Sequence, residues 1–371
     1  MEWDQLLAPR RFVVQKSSAE EGRSQFHKDY DRLVFSQPLR RLARKTQVHP
    51  LSLNDNVHTR LTHSLEVASV GRSLGQRLGQ YLQGRGVLPA RVEAEDLGVI
   101  VQAACLAHDI GNPPFGHTGE DCIRDWFAQH QDHRVMSLIG NDDEMQDLLW
   151  FDGNAQGFRI VTQLEKHWFT GGLRLTMPTL GTLLKYPWFS SHAIKPGKFS
   201  CFRAEAHLLQ QLTSQLGMPK QGERWARHPL AHLVEAADDI CYLILDLEDA
   251  VDLGIMHWAD FLELFKSIVE PSELKNITQS IQPMRTRMAL LRGFAMDRIM
   301  AEFIQAFIQH YDEILTGELH SPLISLIEDP SVLFFLKAAR AFAQDIVFRN
   351  RDKTGVEIGA YAALETLMTA F

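Results

Sequence analysis

Leu106-Ala-His-Asp-Ile-Gly-Asn-Pro-Pro-Phe-Gly-His-Thr-Gly-Glu120 concentrates more chemistry than any other part of the chain. It sets His108, Asp109, His117 and Glu120 among Pro113-Pro114 and three glycines, a crowding that packing alone does not explain. Upstream, the apolar run Leu97 to Leu106 reads as a buried helix. His108 and Asp109 then fall on its last turn, about 100° apart around the axis, where both can lean toward one ion. The prolines stop that helix, because they lack amide donors and drive Asn112 out of the α region, and the glycines let the chain fold back. His117 and Glu120 return three residues apart, neighbours on one face if a new helix has begun. Taken alone, a His-Asp pair at a helix end is ordinarily a cap or a surface pair, so the rest of the chain decides.

With 371 residues, 45% of them hydrophobic, the chain can bury a large core and fits either two domains or one helical domain with a smaller lobe. Its formal charge of -8 argues against general affinity for nucleic acid or anionic membrane, while leaving room for local basic patches that hold a polyphosphate. Cys105, Cys122, Cys201 and Cys241 lack CxxC spacing and read as reduced core residues, not as a disulfide or zinc framework. The start, Met-Glu-Trp-Asp, is acidic with no apolar leader behind it, and no run approaches the about eighteen apolar residues that cross a bilayer. We therefore expect a cytoplasmic protein with no membrane partner.

Residues 1–30, with Lys16-Ser-Ser-Ala-Glu-Glu-Gly22, read as a polar arm or short helix. From Asp29 to Gln47, Leu33, Val34, Leu39, Leu42 and Ala43 alternate with Arg32, Arg40, Arg41, Arg44 and Lys45, a pattern that fits a solvated helix face or a phosphate site. Asn54-Asp55-Asn56 offers N-caps for a helix burying Leu61, Leu65, Ala68 and Leu78, with Arg60 and His63 near its start. Phe151 to Arg159 opens another amphipathic helix, Leu173 to Met177 fits a short strand, and residues 185–200 form an irregular, partly basic excursion. A helix over His228 to Val251, with Pro229 in its first turn, carries Asp238, Tyr242, Asp246 and Asp249 at i, i+4, i+8 and i+11. Those four lie within about 40° of one line, among apolar residues that imply burial, so the carboxylates need a cation or hydrogen-bond donors. The remainder is helical, punctuated by Pro271, Pro283, Pro322 and Pro330, with no ligand spacing among its polar residues. It ends at Phe371 inside an apolar periodic pattern, and we expect that region to be truncated.

His63, His108-Asp109 and Asp238 stand in the H…HD…D order of the HD-domain phosphohydrolases. Within that superfamily the chain resembles the bacterial deoxyguanosine triphosphate triphosphohydrolases and their dNTPase relatives. The carrying segments are Arg41-Leu-Ala-Arg-Lys-Thr-Gln-Val48, Thr59-Arg-Leu-Thr-His63, His108-Asp-Ile-Gly-Asn-Pro-Pro-Phe-Gly-His117, Phe151-Asp-Gly-Asn-Ala-Gln156 and Glu235-Ala-Ala-Asp-Asp-Ile-Cys-Tyr242. The resemblance implies an all-α HD-domain helical bundle with a minor β-hairpin or short strands. We expect an arm over 1–30, a catalytic core over 31–255 with an insert at about 140–228, and a C-terminal helical region over 256–371.

The same resemblance implies that His63, His108, Asp109 and Asp238 hold one divalent metal. Mn²⁺ or Mg²⁺ comes first, with Fe, Co, Ni or Zn also compatible with a mixed N/O donor set. Asp239 competes with Asp238, but Asp238 is the one in line with Tyr242 and Asp246. His117 and Glu120 would stand at the scissile bond, with acid and base left open. Gln47, Tyr242 and Asp246 would surround the deoxyribose, the tyrosine ring leaving no room for a 2′-hydroxyl. Arg60 would grip phosphate, and Lys185-Tyr186 would add a further contact. The implied reaction is attack of water on the α-phosphorus of a dNTP, releasing deoxynucleoside and tripolyphosphate, with dGTP favoured through the resemblance alone. A homo-oligomer, hexameric in this branch, and an allosteric nucleotide or single-stranded DNA site are implied in the same way. The competing readings are another HD phosphohydrolase, acting on nucleoside monophosphates or cyclic nucleotides, and a non-catalytic nucleotide- or DNA-binding module. His117, Glu120 and the Tyr242/Asp246 stripe speak against the first, and the intact ligand set speaks against the second.

Overall fold

The computed structural model describes residues 1–12, 23–52, 54–131, 134–165, 171–344 and 351–371. The Lys16 to Gly22 part of the expected arm lies outside them. The chain opens with α1 (Trp3–Leu6), whose Trp3 and Leu6 join the main core together with Leu7. The Trp3 indole donates to the Tyr311 hydroxyl at 2.7 Å. The first residues are therefore a short helix packed into the core, because an indole and two leucines gain more from burial than from water. Next come α2 (Gln25–Val34) and α3 (Gln37–Arg41), the latter capped by the Ser36 hydroxyl with Pro38 in its first turn.

α4 (Arg60–Gly84) starts at Thr59, whose hydroxyl accepts from the Thr62 amide while Thr62 reaches back to the Thr59 amide. Asn54 does not cap it: its carboxamide accepts from the Asn56 amide and makes a turn of its own. The cap fixes the helix phase, burying His63, Ala68, Leu74 and Leu78 and turning Leu65 outward, contrary to the sequence expectation. Gly71, Gly75 and Gly79 line the face of α4 that meets α5 (Ala94–Ala107). A methyl group on Gly75 would lie 2.6 Å from the Leu97 carbonyl oxygen, so the two backbones touch where no side chain fits. Gly75→Val is expected to lower the unfolding free energy by about 1–3 kcal/mol through overpacking. A urea midpoint equal to that of the wild type would show that the helices part freely. α5 is apolar and buried on all sides, as its composition requires. It stops at Ala107, so His108 is its C-cap and Asp109 sits in the turn beyond, one step later than the sequence suggests.

α6 (His117–Gln129) follows the Pro113-Pro114 turn. Beyond it lie α7 (Asp142–Leu149), capped by Asn141, and α8 (Gly153–Arg159), capped by Asp152. α9 (Met177–Leu183) and α10 (Ala206–Leu216) lead to the only sheet among the described residues, antiparallel β1 (Lys220–Gln221) and β2 (Arg224–Trp225), with Lys220 opposite Trp225. Leu173 to Met177 is not a strand. Arg174 has φ +53°, and its carbonyl accepts from the guanidinium groups of Arg11 and Arg32, which pulls the segment out of any ladder. Ala155, Phe199 and Phe202 form a small second apolar cluster under the irregular excursion.

α11 (Ala231–Asp252) is buried along almost its whole length and packs across α4 and α5. The remaining helices are α12 (Trp258–Phe265), α13 (Pro271–Thr278), α14 (Met284–Gln309), α15 (Tyr311–Thr316), α16 (Pro330–Phe342) and α17 (Arg351–Ala370). Phe261, Phe265, Phe303, Phe307 and Phe335 of this region share one core with α4, α5 and α11. α17 returns to α6, where the Trp126 indole donates to the Thr369 hydroxyl at 3.0 Å and the Tyr361 hydroxyl donates to Asp125 at 2.5 Å. All four cysteines are buried and free. Among the described residues no helix is long and apolar enough to cross a membrane. The architecture is all-α with one minor hairpin.

Candidate metal centre

Three helices deliver three donors to one point. His63 comes from the first turns of α4, His108 from the end of α5 and Asp238 from α11. His63 Nε2 lies 3.1 Å from Asp238 Oδ1, and His108 Nε2 lies 3.6 Å from the same oxygen. Among the described residues these three form the group able to hold a metal, their ligand atoms all within 4.8 Å of one another. His108 Nδ1 is 2.6 Å from the Cys105 carbonyl oxygen, to which it donates, so the lone pair of Nε2 faces the other two donors. Two imidazoles and a carboxylate at this spacing fit a first-row divalent ion.

Asp109 borders this group without belonging to it. Its Oδ1 is 3.5 Å from His108 Nε2, but that oxygen accepts from Asn112 at 2.6 Å and Oδ2 accepts from Arg60 at 2.5 Å. Asn112 thus holds the oxygen nearer His108, and the Arg60 guanidinium holds the other. Asp239 is also outside the group; burial and the charge of Asp238 push its carboxyl up to about 7. Burial works in the same direction on Asp238, but His108, His63 and Lys185 outweigh it and hold the carboxyl well below its ordinary value. Of the adjacent pair, Asp238 is the one ready to bind a cation.

The donors stand at the edge of a cleft of about 300 Å³. Gln47, Arg60, His117, Glu120, Lys185, Tyr186 and Tyr242 line it. Asp246 does not. It is 3% exposed, one turn beyond Tyr242 and behind the cleft wall, and its Oδ2 has no hydrogen-bond partner among the described residues. Burial and the charge of Asp249 push that carboxyl well above its ordinary range.

His117 and Glu120 form a dyad that also lines the cleft. Phe115 and Gly116 both have positive φ, and a side chain on Gly116 would collide with Arg60, so glycine is required where the chain doubles back. His117 is exposed at the first position of α6, and its Nδ1 is 2.8 Å from Glu120 Oε2. Glu120 is buried, and its other oxygen accepts from the Gly153 amide at 2.7 Å. The hydrogen bond to Glu120 raises the His117 pKa. Burial would raise Glu120, but His117, the Gly153 amide and Arg124 together hold it below its ordinary value. An ionised, anchored carboxylate thus keeps a proton on His117 Nδ1 and leaves Nε2 free to exchange one.

The model of the HD domain family matches residues 60–145, a span that includes His63, His108-Asp109 and the His117–Glu120 dyad and stops before Asp238. Over 380 aligned positions the chain is 49% identical to a deoxyguanosinetriphosphate triphosphohydrolase-like protein of Pseudomonas aeruginosa (strain LESB58), covering 100% of this chain and 85% of that protein. It belongs to the deoxyguanosinetriphosphate triphosphohydrolase-like family. A Synechocystis member bearing the same description is 41% identical, over 100% of this chain and 86% of its own. A deoxyguanosinetriphosphate triphosphohydrolase of Cronobacter sakazakii is 31% identical, over 93% of this chain and 76% of its own.

In this member of the family the cleft also contains groups that sequence reasoning missed. Lys198 comes from the irregular excursion, and Lys353 and Glu357, an i,i+4 ion pair at 2.6 Å, come from α17. Glu235, within a quoted motif but given no role, lies 3.4 Å from Lys185 and 2.8 Å from Arg227 and so holds the Lys185 ammonium at the cleft. The Lys45 ammonium donates to the Asn112 carbonyl at 2.5 Å and braces the turn after His108-Asp109. Periodicity does not place Lys198, Glu235, Lys353 or Glu357 at the cleft, since each reaches it from a part of the chain distant from the His108-Asp109 motif.

Proposed function

We propose that this dGTPase-like protein hydrolyses deoxynucleoside triphosphates, dGTP by preference, to deoxynucleoside and tripolyphosphate, using one divalent ion, Mn²⁺ or Mg²⁺. One observation carries the reading: His63, His108 and Asp238 converge on a cleft whose walls also carry Arg60, Lys185 and Lys198. Asp109, whose Oδ1 lies 3.5 Å from His108 Nε2, is the natural fourth ligand, with Arg60 left on its other oxygen. When bound, the ion would neutralise a phosphate oxygen and make water a better nucleophile.

Each protein group then has a separate task. Arg60, Lys185 and Lys198 balance the remaining phosphate charge and orient the chain of phosphates. His117, with Nδ1 held by Glu120, protonates the leaving 5′ oxygen from Nε2, and Glu120 stabilises the charged ring without leaving its buried anchor. Tyr242 closes on the sugar face, where a 2′-hydroxyl would meet its ring. Tyr242→Ala is expected to narrow the dGTP over GTP preference in kcat/KM by about tenfold, the worth of about 1.4 kcal/mol. An unchanged ratio would remove the steric account.

The deciding experiment is a panel of the dNTPs with Mn²⁺ or Mg²⁺ and identification of the products. Tripolyphosphate with free deoxynucleoside supports the reading. Pyrophosphate or orthophosphate overturns it in favour of another HD phosphohydrolase, and no turnover overturns it in favour of a binding module.

A further inference from the structure

His58 precedes the Thr59 cap and does not line the cleft, yet it is tied to both helices that bring His63 and Asp238 together. Its Nδ1 is 2.7 Å from Asp249 Oδ1, and its backbone amide donates to Asp249 Oδ2 at 3.1 Å. One carboxylate of α11 therefore grips ring and main chain at once. Its other ring nitrogen, Nε2, lies 3.3 Å from Glu66 Oε1 and 3.2 Å from Glu66 Oε2, on α4. A ring with a carboxylate at each nitrogen donates from both, which only the charged imidazolium can do. Burial opposes that charge, but Asp249 and Glu66 outweigh it and push the ring up to about 10. Its other titratable neighbours are Asp246, whose carboxyl burial and Asp249 push well above its ordinary range, and Glu248, which is engaged by Arg292 of α14.

The loop leading into His58 is closed at its base by the bridge between Thr46 and Thr59 and by the Arg60 amide, which donates to the Lys45 carbonyl at 2.9 Å. Thr46, Gln47, Val48 and Pro50 of that loop line the cleft. Among the described residues the loop is held to α11 by the His58–Asp249 clamp and by a weaker contact, Asn54 to the Asp252 carbonyl at 3.5 Å. Asp249 lies three turns beyond Asp238 on the same rigid helix, a lever of about 16 Å.

We infer that His58 is a positioning residue: its ring, held between Asp249 of α11 and Glu66 of α4, sets Gln47 and Arg60 in place against the metal donors those two helices carry. The inference rests on the proposed triphosphohydrolase activity for its substrate readout, and metal affinity is measured independently of that activity.

The test uses His58→Gln, which keeps a polar group without the charge, and His58→Arg, which keeps a cation with donors for both carboxylates. Glu66→Gln, which opens one side of the clamp only, serves if His58→Gln does not fold. Asp29→Asn is the control, since it weakens a buried network with Arg11, Thr176 and Thr179, none of which lines the cleft. With Mn²⁺ and dGTP, His58→Gln is expected to weaken Mn²⁺ binding and raise KM by about tenfold each, with kcat within about threefold. His58→Arg is expected to recover most of both losses, Glu66→Gln to show a smaller loss in the same direction, and Asp29→Asn to lower Tm without either. Wild-type Mn²⁺ affinity and KM in His58→Gln and Glu66→Gln, or equal shifts in Asp29→Asn, would overturn the inference. If the wild-type protein hydrolyses no dNTP, the activity reading falls, and Mn²⁺ affinity alone decides whether His58 positions the donors.

Discussion

Asp238→Ala is expected to give a folded protein that no longer gains stability from Mn²⁺ and no longer hydrolyses dNTPs. Asp238 Oδ1 is the oxygen that both His63 and His108 approach, at 3.1 and 3.6 Å, and it supplies the only anion of the three-donor group. Without it, the remaining carboxylate beside the two imidazoles is Asp109, already engaged by Arg60 and Asn112. The loss should exceed the 10–100-fold in metal affinity, roughly, that follows removal of groups one shell further out. The readout need not involve turnover. A ligand that binds only the folded state stabilises it by about 2.7 kcal/mol at a concentration 100 times its Kd, so Mn²⁺ should raise the Tm of the wild type and leave that of Asp238→Ala unmoved. The fold should survive, since removing this carboxylate also relieves the neighbouring charge that pushes Asp239 up. A Mn²⁺-dependent rise in Tm equal to that of the wild type would show that the ion sits elsewhere and would dismantle the assignment of the donors.

How far this centre was legible in the sequence depends on the kind of signal. His63, His108 and Asp238 could be found because a buried helix that keeps carboxylates in register must give them partners, and because the order of the motifs is specific. The helical class followed from periodicity. The phase of α4 did not: three adjacent Asx residues look like caps, but the Thr59–Thr62 reciprocal cap starts the helix later, and Leu65 turns to solvent as a result. Asp246 belongs to the same stripe as Tyr242 by angle, yet it lies behind the wall, because angle around a helix says nothing about depth in a neighbouring cleft. Leu173 to Met177 has the composition of a strand but pairs with none among the described residues, so two arginines bonded to the Arg174 carbonyl decide its shape. Lys353 and Glu357 left no local trace, since only the return of α17 onto α6 brings them to the site.

His117→Ala should separate chemistry from metal binding, keeping the Mn²⁺-dependent rise in Tm while lowering kcat by about 10²–10⁴-fold, the usual worth of a general acid or base. The direction of the pH dependence follows from the dyad. Glu120 raises the pKa of His117, so the protonated ring persists above its ordinary range and is lost as pH rises through the raised value. If His117 donates the proton to the 5′ oxygen, kcat is flat below that value and falls above it. Glu120→Gln removes the charge that holds the proton while keeping an acceptor for Nδ1, and should move the fall to lower pH, toward the ordinary histidine value of about 6.5. Glu120 itself stays ionised throughout this window, because its own pKa is held below the usual carboxylate range. A kcat that rises with pH through the same value would make His117 the base that takes a proton from water, reversing the roles within the dyad. A profile unmoved by Glu120→Gln would mean that the carboxylate orients the ring without setting its charge.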